Sequence, residues 1–117
     1  MSEELEQLAV FDGVTGLFLH HGGIIRWQRR PESLTIDNAA ALCHAVSHAF
    51  IAYLRADRHL TQAYFEFSGQ SVLVVAGNQG AADAGPQSFL TLLLRDRAAV
   101  TPASTAATSY FAGVSTG

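Results

Sequence analysis

The order of apolar and polar positions divides the chain into eight segments. Residues 2–11 place Leu5, Leu8 and Ala9, with Val10, on one side of a helix and Glu3, Glu4 and Glu6 early in it. Ser2 is suited to accept from a free backbone N–H, acids in a first turn complement the helix dipole, and Asp12-Gly13 ends the segment. The apolar runs 14–20 and 24–28 read as strands. Between them Gly22-Gly23 offers the positive φ that tight hairpin turns require, so "VTGLFLHHGGIIRWQ" reads as a β-hairpin. The polar "RRPES" connector follows, with Pro31 unable to donate to a ladder.

Residues 36–57 form the longest helical pattern. Ala39, Leu42, Cys43, Val46, Phe50, Tyr53 and Leu54 recur at three- and four-residue spacing, with Thr35 or Asp37 as the cap. The opposite side carries His44, Ser47, His48, Ile51 and Arg55. Ala40, Ala41, Ala45, Ala49 and Ala52 keep much of the surface small enough for another helix to approach closely. "QAYFEFS" alternates, with Ala63, Phe65 and Phe67 facing one way and Gln62, Tyr64, Glu66 and Ser68 the other. After Gly69-Gln70, "SVLVVA" has the unbroken apolar character of a strand buried on both faces. "GNQGAADAGP" is a ten-residue loop of small, turn-forming residues, expected to be mobile. "SFLTLLLR" is a further strand. Thr101 and Pro102 predict the start of a last helix, weakly patterned to Gly113. The order α-β-β-α-β-β-β-α predicts an α+β sandwich. Its five-stranded antiparallel sheet would combine a hairpin with a three-strand meander, and helices would lie on the sheet's faces.

A chain of 117 residues can bury about two-thirds of its unfolded surface, so a single domain over 1–117 is expected. The formal net charge is −3, and the seven basic residues are all Arg, with no run longer than Arg29-Arg30. No basic stripe for nucleic acid results. Cys43 is the only cysteine, which excludes an intrachain disulfide and a multi-cysteine zinc site. The acidic start lacks the basic region of a signal peptide, and no apolar run reaches the roughly 20 residues of a membrane span. A cytoplasmic protein without membrane insertion is expected.

Few residues carry candidate chemistry. His20 and His21 are neighbours at a strand end, so they face opposite ways and cannot share a metal; two exposed turn histidines are expected. Gly22-Gly23 lacks the Lys and Ser/Thr of a phosphate loop. His44 and His48 share a helix face at the spacing of zinc-protease ligands, but Ala45 stands where that motif has its Glu base, and no third ligand is evident. Cys43 lies in the apolar stripe, where a thiol is inert. No nucleophile elbow occurs. Glu66 is expected to face solvent or a partner. Trp27, beside Arg26 and Arg29, is read as core packing, with an exposed aromatic anchor as the alternative. No catalytic residue, metal or cofactor is assigned.

Taken in order, "VTGLFLHHGGIIRWQ", "IDNAAALCHAVSHAF", "QAYFEFSGQSVLVVAG" and "SFLTLLLRD" resemble the roadblock domain of the dynein light chain family over about residues 3–112. The resemblance implies a non-enzymatic homodimer, or a heterodimer with a paralogous roadblock protein. The meander's outer strand would pair across the dimer and the long helices would pack side by side. It also implies a small Ras-like GTPase as partner, since bacterial members include regulators of polarity and gliding-motility GTPases. The dimer interface is expected at Ala45, His48, Ala49, Ala52, Tyr64 and Glu66. His44 and His48 depart from the family, where small or apolar residues are usual, as does the polar "NQGAADAGP" loop, residues 78–86, where the family often has a short turn. The alternatives are a small-molecule-sensing module and a metal-dependent enzyme using His44 and His48.

Overall fold

The computed structural model describes residues 2–21, 24–57, 59–67, 70–77 and 88–116. The two glycine turns and most of the loop after Gly77, about which the sequence makes specific predictions, lie outside the described residues. Helix α1 (Ser2–Ala9) leads into β1 (Val14–His21) and β2 (Ile24–Arg29). Helix α2 (Ile36–Ala56) follows, then β3 (Gln62–Phe67), β4 (Gln70–Ala76) and β5 (Phe89–Leu94). A short 3-10 turn, Arg97–Ala99, precedes α3 (Val100–Thr116). The strands form one antiparallel sheet in the order β2-β1-β5-β4-β3, so the hairpin joins the meander through β1 and β5. The expected element order and α+β fold are therefore present.

Both faces of the sheet are covered. Leu73 and Val75 of β4 and Leu90, Leu92 and Leu94 of β5 pack with Leu5 and Leu8 of α1 and Ala103 and Ala107 of α3. The alternate residues Val72, Val74, Phe89 and Leu93 pack, with Phe18, against Ala39, Cys43, Val46 and Phe50 of α2. Three layers result, with β4 and β5 buried along nearly their whole described length. Val10, placed with the apolar side of α1 by its pattern, is exposed because the helix ends at Ala9.

Two local features depart from the simple alternation. Leu19 pairs with Trp27, but the next residue, His20, pairs with Ile25, which leaves Arg26 as an extra residue on β2. This β-bulge changes the strand's phase. Ile25 packs on the α2 side and Trp27 on the α1/α3 side, although they are two apart. Trp27 is thus a packing residue. The start of α3 also differs from expectation. The cap is Asp96, whose carboxylate accepts from Ala98 N at 3.0 Å and begins the 3-10 turn that runs into the helix at Val100. Thr101 and Pro102 lie inside the first turn, where a missing N–H costs nothing. The helix continues past Gly113 to Thr116.

The chain passes from α1 into β1 through Gly13, which has φ 91°. Its carbonyl accepts from Arg95 N at 2.8 Å, tying the end of α1 to the end of β5. A Cβ there would sit 2.6 Å from the Cβ of Ala99. Gly13→Ala therefore combines left-handed backbone strain with a collision, and should cost about 1–3 kcal/mol. Urea unfolding of the variant checks this; an unchanged midpoint would show that the backbone relaxes without penalty.

Candidate functional site

Helix α2 begins at Thr35, whose hydroxyl accepts from Asn38 N at 3.1 Å; Thr35 rather than Asp37 is the cap. Its buried side is Ala39, Cys43, Val46, Ser47 and Phe50. Tyr53, grouped with the apolar stripe by its spacing, is 64% exposed instead. Ala41, His44, Ala45, His48, Ala52 and Arg55 are placed on the outer part of the helix, while Ala49 is half-buried. Ile51 is exposed beside them. The outward face is thus small, weakly polar and partly apolar. The His44 and His48 rings lie 4.3 Å apart, centroid to centroid, tilted by 53°. Among the described residues no group of three or more His, Cys, Asp or Glu side chains is placed to hold a metal. Burial pushes the Cys43 thiol up to about 12, which keeps it protonated and unreactive.

Strand β3 forms one end of the sheet, and among the described residues it has a strand neighbour on one side only. Its two rows of side chains behave differently. Ala63 and Phe65 are half-buried against the α2-side core. Phe67 stacks on Phe65 (6.3 Å, 10°) and is 48% exposed. On the opposite face the Tyr64 hydroxyl lies 2.9 Å from both Glu66 Oε1 and Ser71 Oγ. Arg97 donates to both Glu66 oxygens at 2.9 and 3.1 Å. These hydrogen bonds, from Arg97 first and then from Tyr64, hold the exposed Glu66 carboxyl below its usual range. Glu66, Phe67, Gln70, Ser71, Arg95, Asp96 and Arg97 line a shallow cleft open to solvent.

The six residues expected at an interface therefore form two groups on opposite faces of the sheet. Ala45, His48, Ala49 and Ala52 belong to α2. Tyr64 and Glu66 belong to the α3 side of β3, where Glu66 is already paired within the chain. Of the two groups, Tyr64 and Glu66 lie on the strand whose other edge has no strand neighbour among the described residues.

One buried polar group is not legible in the sequence. His20, expected as an exposed turn residue, is completely buried between β5 and α2. It stacks on Phe89 at 5.6 Å. Its Nε2 lies 2.6 Å from Thr91 Oγ1, and its Nδ1 lies 3.4 Å from Ser47 Oγ. The Ser47 hydroxyl donates to the Cys43 carbonyl at 2.6 Å, so Ser47 faces the ring with a lone pair. The protonated ring nitrogen is then assigned to Nδ1, and Thr91 donates to Nε2. A serine hydroxyl committed to a carbonyl and sealed from solvent is no nucleophile. The group clamps α2 to the sheet. His21 is half-buried and lies near Ser88. Its partner differs from those of His20, as expected for neighbours in a strand.

His20→Leu should leave the Thr91 hydroxyl buried without this partner and cost about 1–3 kcal/mol. Adding Thr91→Val should recover part of the loss. Strictly additive effects in a double-mutant cycle by chemical denaturation would show that the two residues are not coupled.

No family model matches the sequence, and no curated protein is similar enough to count as a relative. Solved structures do match by shape. The gliding protein MglB of Thermus thermophilus superposes with a TM-score of 0.62 at 14% identity, over 90% of this chain and 83% of that one. Myxococcus xanthus MglB superposes with a TM-score of 0.58 at 15% identity, over 92% and 90%. At that identity the likeness shows the fold alone. The chain thus has the roadblock-type α+β fold its sequence resembles, the fold of the two MglB structures.

Proposed function

We propose that this chain is a non-enzymatic dimeric scaffold or regulator that binds a small Ras-like GTPase in a bacterial signalling or polarity system. The observation that carries the reading is the fold shared with a gliding protein along nearly the whole chain. The chemistry of the side chains agrees with it. The thiol is buried and protonated, the Ser47 hydroxyl is spent on a carbonyl, and Glu66 is held by Arg97. Among the described residues no helix is long and apolar enough to cross a membrane. The working compartment is the cytoplasm.

The dimer, with a second copy or a paralogous roadblock protein, forms through the open edge of β3 and the outward face of α2. An edge strand presents unpaired N–H and C=O groups, and antiparallel pairing with a second β3 satisfies them. Phe67 and Ile51, both exposed in the single chain, become covered. Ala45, Ala49 and Ala52 let the second α2 come close. Tyr64 and Glu66 flank the strand junction.

Ala45 is exposed, so a monomer accommodates a larger residue there. At a close helix contact Ala45→Arg overpacks the interface by about 1–3 kcal/mol. The dimer dissociation constant should rise about tenfold or more, with the monomer still folded. Sedimentation equilibrium measures this, and unchanged association would mean that the α2 face is merely solvated.

The partner class is tested by mixing the purified chain with small Ras-like GTPases from the same genome, loaded with GDP or a non-hydrolysable GTP analogue. Co-elution that depends on the bound nucleotide is expected for one of them. Failure of every loaded GTPase to bind would sink the reading.

A further inference from the structure

We infer that His44 and His48 form half of a structural zinc site, completed by the same pair on a second copy of the chain. The inference rests on the dimer reading above and adds a ligand to it. Several observations lead to it. The two residues are four apart, the spacing at which helical histidines bind one zinc ion. Their direction is fixed from beneath, because Cys43, Val46, Ser47 and Phe50 are buried between and beside them. Both side chains are exposed, and their rings already lie side by side. Among the described residues neither ring takes part in a hydrogen bond or ion pair with protein, so their nitrogens are available to a metal.

Position along the helix supplies a second argument. Helix α2 runs from residue 36 to residue 56, so His44 is eight residues from its start and His48 eight from its end. The pair straddles the midpoint. Two such helices crossing antiparallel about a twofold axis at their centres would bring the pairs face to face. Exposed Ala41, Ala45 and Ala52 flank the pair with little bulk, and the larger Ile51 and Arg55 lie on the C-terminal side of it.

Zinc in a structural site takes four ligands in a tetrahedron. One chain supplies two imidazoles, and among the described residues no cluster provides more. A second copy supplies the other two. Four protein ligands leave no open position for water, so the site stabilises association and does not catalyse. The absence of a Glu at position 45 fits that role.

The experiment uses metal-stripped full chain, titrated with zinc chloride by calorimetry and followed by sedimentation in EDTA and in micromolar zinc. The expected result is one zinc per two chains and a dimer dissociation constant at least about tenfold lower in zinc. His44→Ala/His48→Ala should lose both effects. At a concentration where both are monomeric in EDTA, its melting temperature should match the parent's, since both residues are exposed in the single chain. One zinc per chain with unchanged association would overturn the shared site. A dimer in EDTA that takes up no zinc would remove the metal and leave the dimer standing. A monomer in both conditions would remove the dimer reading and the shared site with it. A monomer in EDTA that dimerises in zinc at the expected ratio would support the site and make association metal-dependent.

Discussion

Burial of β4 and β5 on both faces is the constraint from which the rest of the structure follows. Ser71–Ala76 and Phe89–Leu94 offer no solvent-compatible side, and each large apolar side chain left in water would forfeit about 1.5–3 kcal/mol. Cover is needed above and below. On one side the long, well-patterned α2 supplies it. On the other, α1 is short and α3 is rich in small residues, and the two share the task. Ala103 and Ala107 are completely buried, so α3 works by lying close to the sheet rather than by filling space with bulk. Gly77 reflects the same closeness, since a Cβ there would fall 2.5 Å from the Phe111 ring.

The central strands and α2 are legible in the sequence because burial imposes unbroken or periodic apolar patterns, and nothing competes with that signal. The departures have specific causes. His20 sits next to His21 and two glycines, a context that suggests a turn. Its burial depends on Thr91, 71 residues away, and on Ser47 of α2. Periodicity places Ser47 outward for a related reason: a serine gives no sign that its hydroxyl will bond the carbonyl one turn back. Tyr53 has the right spacing from Phe50, but it falls on the flank of the stripe and is exposed, while its neighbour Leu54 still packs on the core. Asp96 is hard to recognise as a cap because a 3-10 turn separates it from the helix it starts.

The proposed interface is less legible than the fold for a deeper reason. Alternation correctly places Tyr64 and Glu66 opposite Phe65 and Phe67. It cannot show that Arg97 already holds Glu66, nor that α2 and the Tyr64 face lie on different sides of the sheet. A surface meant for another chain leaves no packing pattern within its own chain. Small residues on a helix and an open strand edge are permissive features, and they specify a partner only together with the complementary surface.

The bulge at Arg26 has a consequence for how this hairpin tolerates change in length. Because Arg26 adds a residue without a Cα partner, the face assignment of everything beyond it depends on a count rather than on identity. Removing that residue would restore a regular ladder. It would put Trp27 next to Ile25, where regular alternation sends the two to opposite faces, the faces they already occupy. Loss of this unpaired residue thus keeps the inside and outside of the strand, whereas loss of a paired residue shifts the register of everything beyond it. Length variation in β2 should therefore be tolerated at the bulge and excluded on either side of it, so the bulge marks the place where this strand can change length without exchanging its faces.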